Sequence, residues 1–321
     1  MSENSNPMCK CEEIFEIFKN GIAGWQALYQ LITKNEEEIN TIYQNIKTNL
    51  IDKLKIPSDY VIRSISDLVI YRNRYIKSFL KIAKNIYDDY HLTQVDVSYH
   101  FDSYSHQEFG FIFNQNNKNY IVSQDSSKSF RSDVHEGYTI FKAIMENDKE
   151  SFIDFTERTD FDEYYTELFS SYYPDSWCSL IELCCYYGAV YCFKFLRTKF
   201  KSRITQKCLR YSFLKGNPEI MNECLKELKP DFECMKNAII SHNVDFVTFL
   251  MNENNITIDL DTCSRYNNLM AFFIYLDQTN EINECFINSK FFCIPSLCEY
   301  FISHGANINV KDKAGQAAIH Y

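Results

Sequence analysis

Glycine and proline are scarce in this chain, 8 and 6 among 321 residues. That scarcity argues against a turn-rich β sandwich and for helices. It also leaves no G-x-G-x-x-G and no G-x-x-x-x-G-K-[ST], so no phosphate-cradling loop is encoded. No run of about 20 apolar residues is present, so no membrane-spanning helix is expected. The polar start, Met1 to Pro7, lacks the apolar core of a secretory signal. Basic charge is in deficit as well, with 33 Lys+Arg against 43 Asp+Glu. A net charge of −10 repels a phosphate backbone, so nucleic acid is not an expected partner. Thirteen cysteines are present, yet no Cys-x-x-Cys occurs. Cys9 and Cys11 have no histidine near them in sequence, and Cys184 and Cys185 are adjacent. These spacings do not suit structural zinc, and a reducing, cytoplasmic setting is expected. Nothing in the sequence assembles a catalytic set, so no enzyme activity, metal or cofactor is expected.

What is there is an ordinary folding composition, 45% hydrophobic and 24% charged, which separates the chain from disordered ones. Residues 12–34 carry a helical pattern, with Gly21 and Gly24 expected to break it. Ile39, Ile42, Tyr43, Ile46, Leu50 and Leu54 then mark one helix face over 36–54. Pro57 ends that helix and Ser58-Asp59 opens the next. Tyr75 to Tyr90 supplies a fourth, with Ile76, Phe79, Leu80, Ala83 and Ile86 on one side. Such helices are marginal alone and must pack together. Near residue 95 the pattern changes. Val95, Val97, Tyr99 and Phe101 alternate, and the aromatic and β-branched runs between Phe109 and Val122 predict a short β-hairpin. A polar stretch over 123–132 reads as a linker. The chain is therefore divided into an N-terminal helical domain, 1–130, and a second part, 131–321, which carries most of the acidic excess.

The second part repeats. Gly188 and Gly216 each follow one apolar helical run and precede another. His242, Asn267 or Asn268, and Cys293 take the equivalent place, at steps of 28, 26, about 25 and about 26 residues from Gly188. Thr139 to Asp148 fits the same frame more loosely. At the end of the chain, His304-Gly305-Ala306-Asn307-Ile308-Asn309 closes one unit, and Asp312, Gly315 and Ala317-Ala318-Ile319-His320 open another. Gly305 suits a left-handed helix end, and Asp312 with Gly315 suits a tight turn.

This junction resembles that between ankyrin repeats, where G-A-x-x-N is followed by D-x-x-G-x-T-P-L-H. Thr and Pro of that pattern are replaced here by Ala317 and Ala318, while His320 is retained. The usual period is about 33 residues, so the inner units look like ankyrin-type repeats shortened in their turns. Shortened, diverged repeats of this kind are similar to a protozoan family in which a domain of unknown function precedes regular ankyrin repeats. The resemblance implies an all-α fold, an ankyrin-type α-solenoid of stacked helix pairs behind the N-terminal helices. It marks Gly188, Gly216, Gly305, Ala306, Asn309, Asp312, Gly315 and His320 as structural repeat positions. It also implies a protein-binding scaffold that uses its concave face and turn tips.

Tyr172, Tyr173 and Trp177, in a loop with Pro174, are candidate aromatic anchors for a partner. Arg197, Lys199 and Lys201 are candidate contacts to an acidic one. Cys184, Cys185, Cys224, Cys293 and Cys298 fall on inner helix faces and read as small hydrophobes. The protein is expected to be a monomer whose partner is another protein. The competing expectation is an enzymatic or regulatory N-terminal domain targeted by the array. Because Tyr321 falls inside a first helix with no polar cap, further repeats are expected beyond it.

Overall fold

The computed structural model describes residues 10–123, 134–135, 137, 139–162, 166–168, 172–311 and 315. The first part is built of α1 (Lys10–Tyr29), α2 (Glu36–Ile46), α3 (Ser58–Leu68), α4 (Ile76–Asp89), α5 (Tyr99–Phe109) and α6 (Lys118–Ser123). A π-helical turn, Lys47–Lys53, continues α2. The periodicity over 36–54, the stop at Pro57 and the fourth helix are as expected from the sequence.

Two expectations are corrected. First, α1 is unbroken at Gly21 and Gly24. Both glycines are buried under the π-helical turn. A Cβ on Gly21 would come within 2.4 Å of Leu54 Cδ1, and one on Gly24 within 2.8 Å of Leu50 Cδ2. Glycine here permits close helix packing and does not end the helix.

Second, the expected hairpin is absent. Tyr99–Phe109 and Lys118–Ser123 are helical, and the segment between them is a loop with a 3₁₀ turn at Gln115–Asn117. The cause is Asp102, buried in α5. Its carboxylate accepts the backbone N–H of Phe113 at 2.6 Å and of Asn114 at 3.1 Å, and the amide of Asn117 at 2.8 Å. These donors would otherwise have sought a strand partner. Burial pushes Asp102 up to about 6.

From residue 140 the chain forms stacked helix pairs: α7 (Ile140–Glu146) with α8 (Lys149–Thr156), α9 (Leu180–Tyr187) with α10 (Val190–Phe195), and α11 (Gln206–Lys215) with α12 (Pro218–Glu227). Then come α13 (Phe232–Ser241) with α14 (Val244–Asn254), α15 (Leu260–Arg265) with α16 (Leu269–Thr279), and α17 (Ile282–Ser289) with α18 (Pro295–Ser303). Each first helix packs on the next first helix, from α7 through α9, α11, α13 and α15 to α17. That is an α-solenoid. Between α8 and α9, a short antiparallel ladder pairs β1 (Thr166–Leu168) with β2 (Trp177–Ser179).

The local chemistry of each pair is the same. The first helix closes on a left-handed residue: Asn147, Gly188, Gly216, His242, Asn267 and Cys293 all have φ between 52° and 81°. These are the positions that the repeat frame marks, with Asn147 one residue before the expected Asp148. In four of the pairs the next residue caps the second helix. Asp148, Asn217 and Asn243 accept the N–H groups two residues on at 3.0–3.1 Å, and Asn268 accepts Ala271 N–H at 2.9 Å. First helices are capped in turn by Thr139, Thr205, Asp231 and Asp259. Gly305 follows α18 with φ 95°, and Gly315 has φ 79°. Asn309 is exposed and Ala306 is buried. Asp312 and His320 lie outside the described residues.

No helix is long and apolar enough to cross a membrane among the described residues.

Candidate functional site

The six N-terminal helices do not stand apart from the array. One continuous hydrophobic core runs from Ile14 to Ala306. It is stitched by polar groups at the edge where first helices turn into second ones. Tyr29 stacks on His242 with ring centroids 4.1 Å apart, and Gln30 donates to the His242 carbonyl at 3.0 Å. The single hydroxyl proton of Tyr60 is shared between Asn267 Oδ1 at 3.0 Å and the Phe291 carbonyl at 2.8 Å. Asn267 Nδ2 returns a bond to Ser64 Oγ at 3.1 Å. The hydroxyls of Tyr71 and Tyr266 are 2.8 Å apart. Tyr186 donates to the Ile70 carbonyl at 2.8 Å, and Tyr187 to Asn73 Oδ1 at 3.0 Å.

The left-handed residues that define the array are thus also where the N-terminal helices grip it. Burial raises the phenols of Tyr29, Tyr60 and Tyr71 well above their usual value, so all three stay protonated. Burial holds the His242 imidazole down at about 3, so it is neutral here, and its Nε2 is 2.8 Å from the Tyr266 carbonyl.

The candidate partner residues separate into two groups. Tyr173 is buried, with its hydroxyl 2.6 Å from that of Tyr187 and 2.5 Å from His135 Nε2. Tyr172 is half-buried and stacks on Tyr104, and its carbonyl accepts Asn73 Nδ2 at 2.7 Å. The expectation that these two anchor a partner is corrected for Tyr173, which is buried against His135, Tyr186 and Tyr187, while Tyr172 is half-buried against Tyr104 of α5. Trp177, in contrast, is 56% exposed. Arg197 pairs with Glu227 and donates to the Ser202 carbonyl. Lys199 lies over the rings of Phe195 and Phe200. Lys201 is exposed and left-handed, at φ 57°.

Trp177 and Lys201 are on the connecting edge, where one pair leads into the next first helix. Phe232, 50% exposed at the start of α13, shares that edge. Between them, Lys207 donates to the Trp177 carbonyl at 2.6 Å, and Arg210 forks onto Asp231 at 2.6 and 3.0 Å. So the N-terminal helices cover much of the helix-to-helix edge, where Phe291 stays 46% exposed, and the connecting edge exposes Trp177 and Phe232.

Residues 200–275 match a protein family described as a domain of unknown function, DUF3447. The DUF3447 segment begins at the last residue of the π-helical turn Leu196–Phe200 that follows α10 and ends inside α16, so it spans the stacked pairs at the centre of the array. No curated protein and no solved structure matches the chain.

Sequence reasoning missed Phe232, Arg72 and Lys215. The first gives no sequence signal, since a lone Phe at a helix start is as often core as surface. The two cations are distant in sequence, and only packing brings them together. The signal that was legible and unused is a left-handed residue followed by Asn or Asp, as in Asn147-Asp148, Gly216-Asn217, His242-Asn243 and Asn267-Asn268.

The cysteines behave as expected in the main. None of the eleven cysteines from Cys178 to Cys298 is in a disulfide. Cys184, Cys185 and Cys224 are buried, whereas Cys293 and Cys298 are half-buried. Burial pushes the thiols of Cys184, Cys185 and Cys263 far above their usual value, which suppresses thiolate formation.

Proposed function

We propose that this chain is an ankyrin-type, non-catalytic scaffold that binds a partner protein in the cytoplasm along the connecting edge and inner helices of its solenoid. The observation that carries the reading is the connecting edge, which exposes Trp177 and Phe232 among cations, while Tyr29, Tyr60 and Tyr71 hold the helix-to-helix loops against the N-terminal helices. Aromatic groups standing exposed on a rigid frame are what an interface core uses as anchors, and they lose little conformational freedom on binding. The recurring left-handed closures at Gly188, Gly216, His242, Asn267 and Cys293 support an ankyrin-type unit with shortened turns. Buried cysteines outside disulfides suit a reducing compartment.

The test is affinity capture with the full chain and with a Trp177→Ala/Phe232→Ala variant of unchanged helical content. The scaffold reading expects a protein captured by the wild type and lost from the variant. Equal capture by both would remove the connecting edge from consideration. Turnover of a substrate by the full chain would remove the non-catalytic assignment.

A further inference from the structure

Arg72, Arg74 and Lys215 line one small cleft together with Tyr75, Tyr186 and Tyr187. The cleft lies on the seam between the N-terminal helices and the array. Arg72 and Arg74 come from the turns ahead of α4, and Lys215 is the last residue of α11. Arg74 is paired with Glu146. Arg72 and Lys215 have no ion-pair or side-chain hydrogen-bond partner among the described residues, although both are half-buried. The charged groups facing Lys215 are Arg72 and Arg74, and the titratable groups facing Arg72 are Lys215, the His242 imidazole and the phenols of Tyr186 and Tyr75. A carboxylate is not among them. The Lys215 stem is held in place, since it passes so near Gly188 that a Cβ there would come within 2.9 Å of Lys215 Cγ.

Half-burying like charges side by side costs both desolvation and repulsion. Surface cations normally escape that cost by turning outward, and these two do not. The cost is recovered when an anion enters. Three cations against the one carboxylate of Glu146 leave two positive charges, the match for a dianion. A guanidinium fork and an ammonium together are the donors that phosphate oxygens take. The cleft is open to solvent and has room, about 20 Å³, for one water-sized group. That room would admit one oxygen of a phosphate, with the remainder of the group outside the cleft.

We infer that the Arg72–Arg74–Lys215 cleft binds a phosphate dianion, either inorganic phosphate or the phosphate group of a monoester, and thereby ties the N-terminal helices to the array. Burial and then the charges of Arg72 and Arg74 pull the Lys215 ammonium down to about 8, and a bound dianion reverses that pull.

The test is calorimetric titration of the full chain with inorganic phosphate and with phenyl phosphate, against chloride at matched ionic strength. Saturable binding is expected, weakened about tenfold or more by Arg72→Gln and by Lys215→Gln, and unchanged in Lys19→Gln, whose partner Glu16 is remote from the cleft. Tighter binding of the ester assigns the source as a phosphomonoester; tighter binding of the inorganic ion assigns free phosphate. Thermal unfolding supplies the second reading. In chloride, Lys215→Met is expected to be at least as stable as the wild type, and phosphate is expected to raise the wild type alone. Phosphate affinity unaltered by either cleft substitution, no saturable phosphate binding, or a Lys215→Met variant less stable than wild type in chloride would each overturn the inference.

Discussion

Replacing Asn267 with alanine tests whether the two parts of the chain are one structure. Asn267 is fully buried and left-handed at φ 55°, and it is the hub between them. It accepts from Tyr60, donates to Ser64 and lies 3.5 Å from the Tyr29 hydroxyl, the last contact being weak. Alanine in the left-handed region costs about 1 kcal/mol that asparagine largely avoids. Each of the two good hydrogen bonds contributes about 1 kcal/mol net. Tyr60 keeps the Phe291 carbonyl and Ser64 keeps the Tyr60 carbonyl, so neither hydroxyl is orphaned. The expected loss is therefore about 3 kcal/mol for Asn267→Ala. For Asn267→Gly, which restores the backbone freedom and leaves the bonds missing, it is about 2 kcal/mol. Urea unfolding followed by circular dichroism measures both, as the change in midpoint at constant slope. Limited proteolysis then reports whether α1 to α4 and α13 to α16 become cleavable together. If both variants unfold within about 0.5 kcal/mol of the wild type, the junction does not hold the parts together and the reasoning fails.

Three further outcomes are expected. His242 is held neutral, with its usual value of 6.5 lowered to about 3, so its stability contribution is present above pH 6.5 and drains away as the pH falls toward 3. His135, at about 4, adds to that acid loss, and Asp102, raised from 3.8 to about 6, opposes it between those values. Unfolding free energies measured across this range should fall less steeply in His242→Asn, and an unchanged slope would contradict a buried neutral imidazole. Gly216→Ala places a Cβ at φ 81° and 3.2 Å from the Phe246 ring, and should lower the urea midpoint by the equivalent of about 1–3 kcal/mol; a midpoint equal to wild type would refute the strain. Native-state titration with a thiol reagent should label Cys293 and Cys298 well before Cys184, Cys185 and Cys224, and the reverse order would contradict their burial.

Much of the architecture was legible along the chain because its cause is local. A left-handed closure wants Gly or Asn, a helix start wants Asn, Asp or Thr, and both recur at near-constant spacing whatever surrounds them. That is why Gly188, Gly216 and the stand-in His242 could be placed in one frame. The readings that failed are those in which a local signal has two physical uses. Gly21 and Gly24 look like helix breaks, but here they admit Leu54 and Leu50 to the backbone of α1. The alternation from Val95 to Phe101 looks like a strand, until Asp102 gathers the backbone donors of Phe113 and Asn114 and commits Tyr99–Phe109 to a helix.

By itself, then, the order of residues determined a helical chain whose second part repeats in pairs, because capping and left-handed closure act within a few residues. Only the tertiary structure decided which edge of the array is covered, why Tyr173 is inside while Trp177 is outside, and that Arg72 meets Lys215 across the seam. Those outcomes depend on which surfaces come into contact between residues far apart in the chain, and no spacing along it records that.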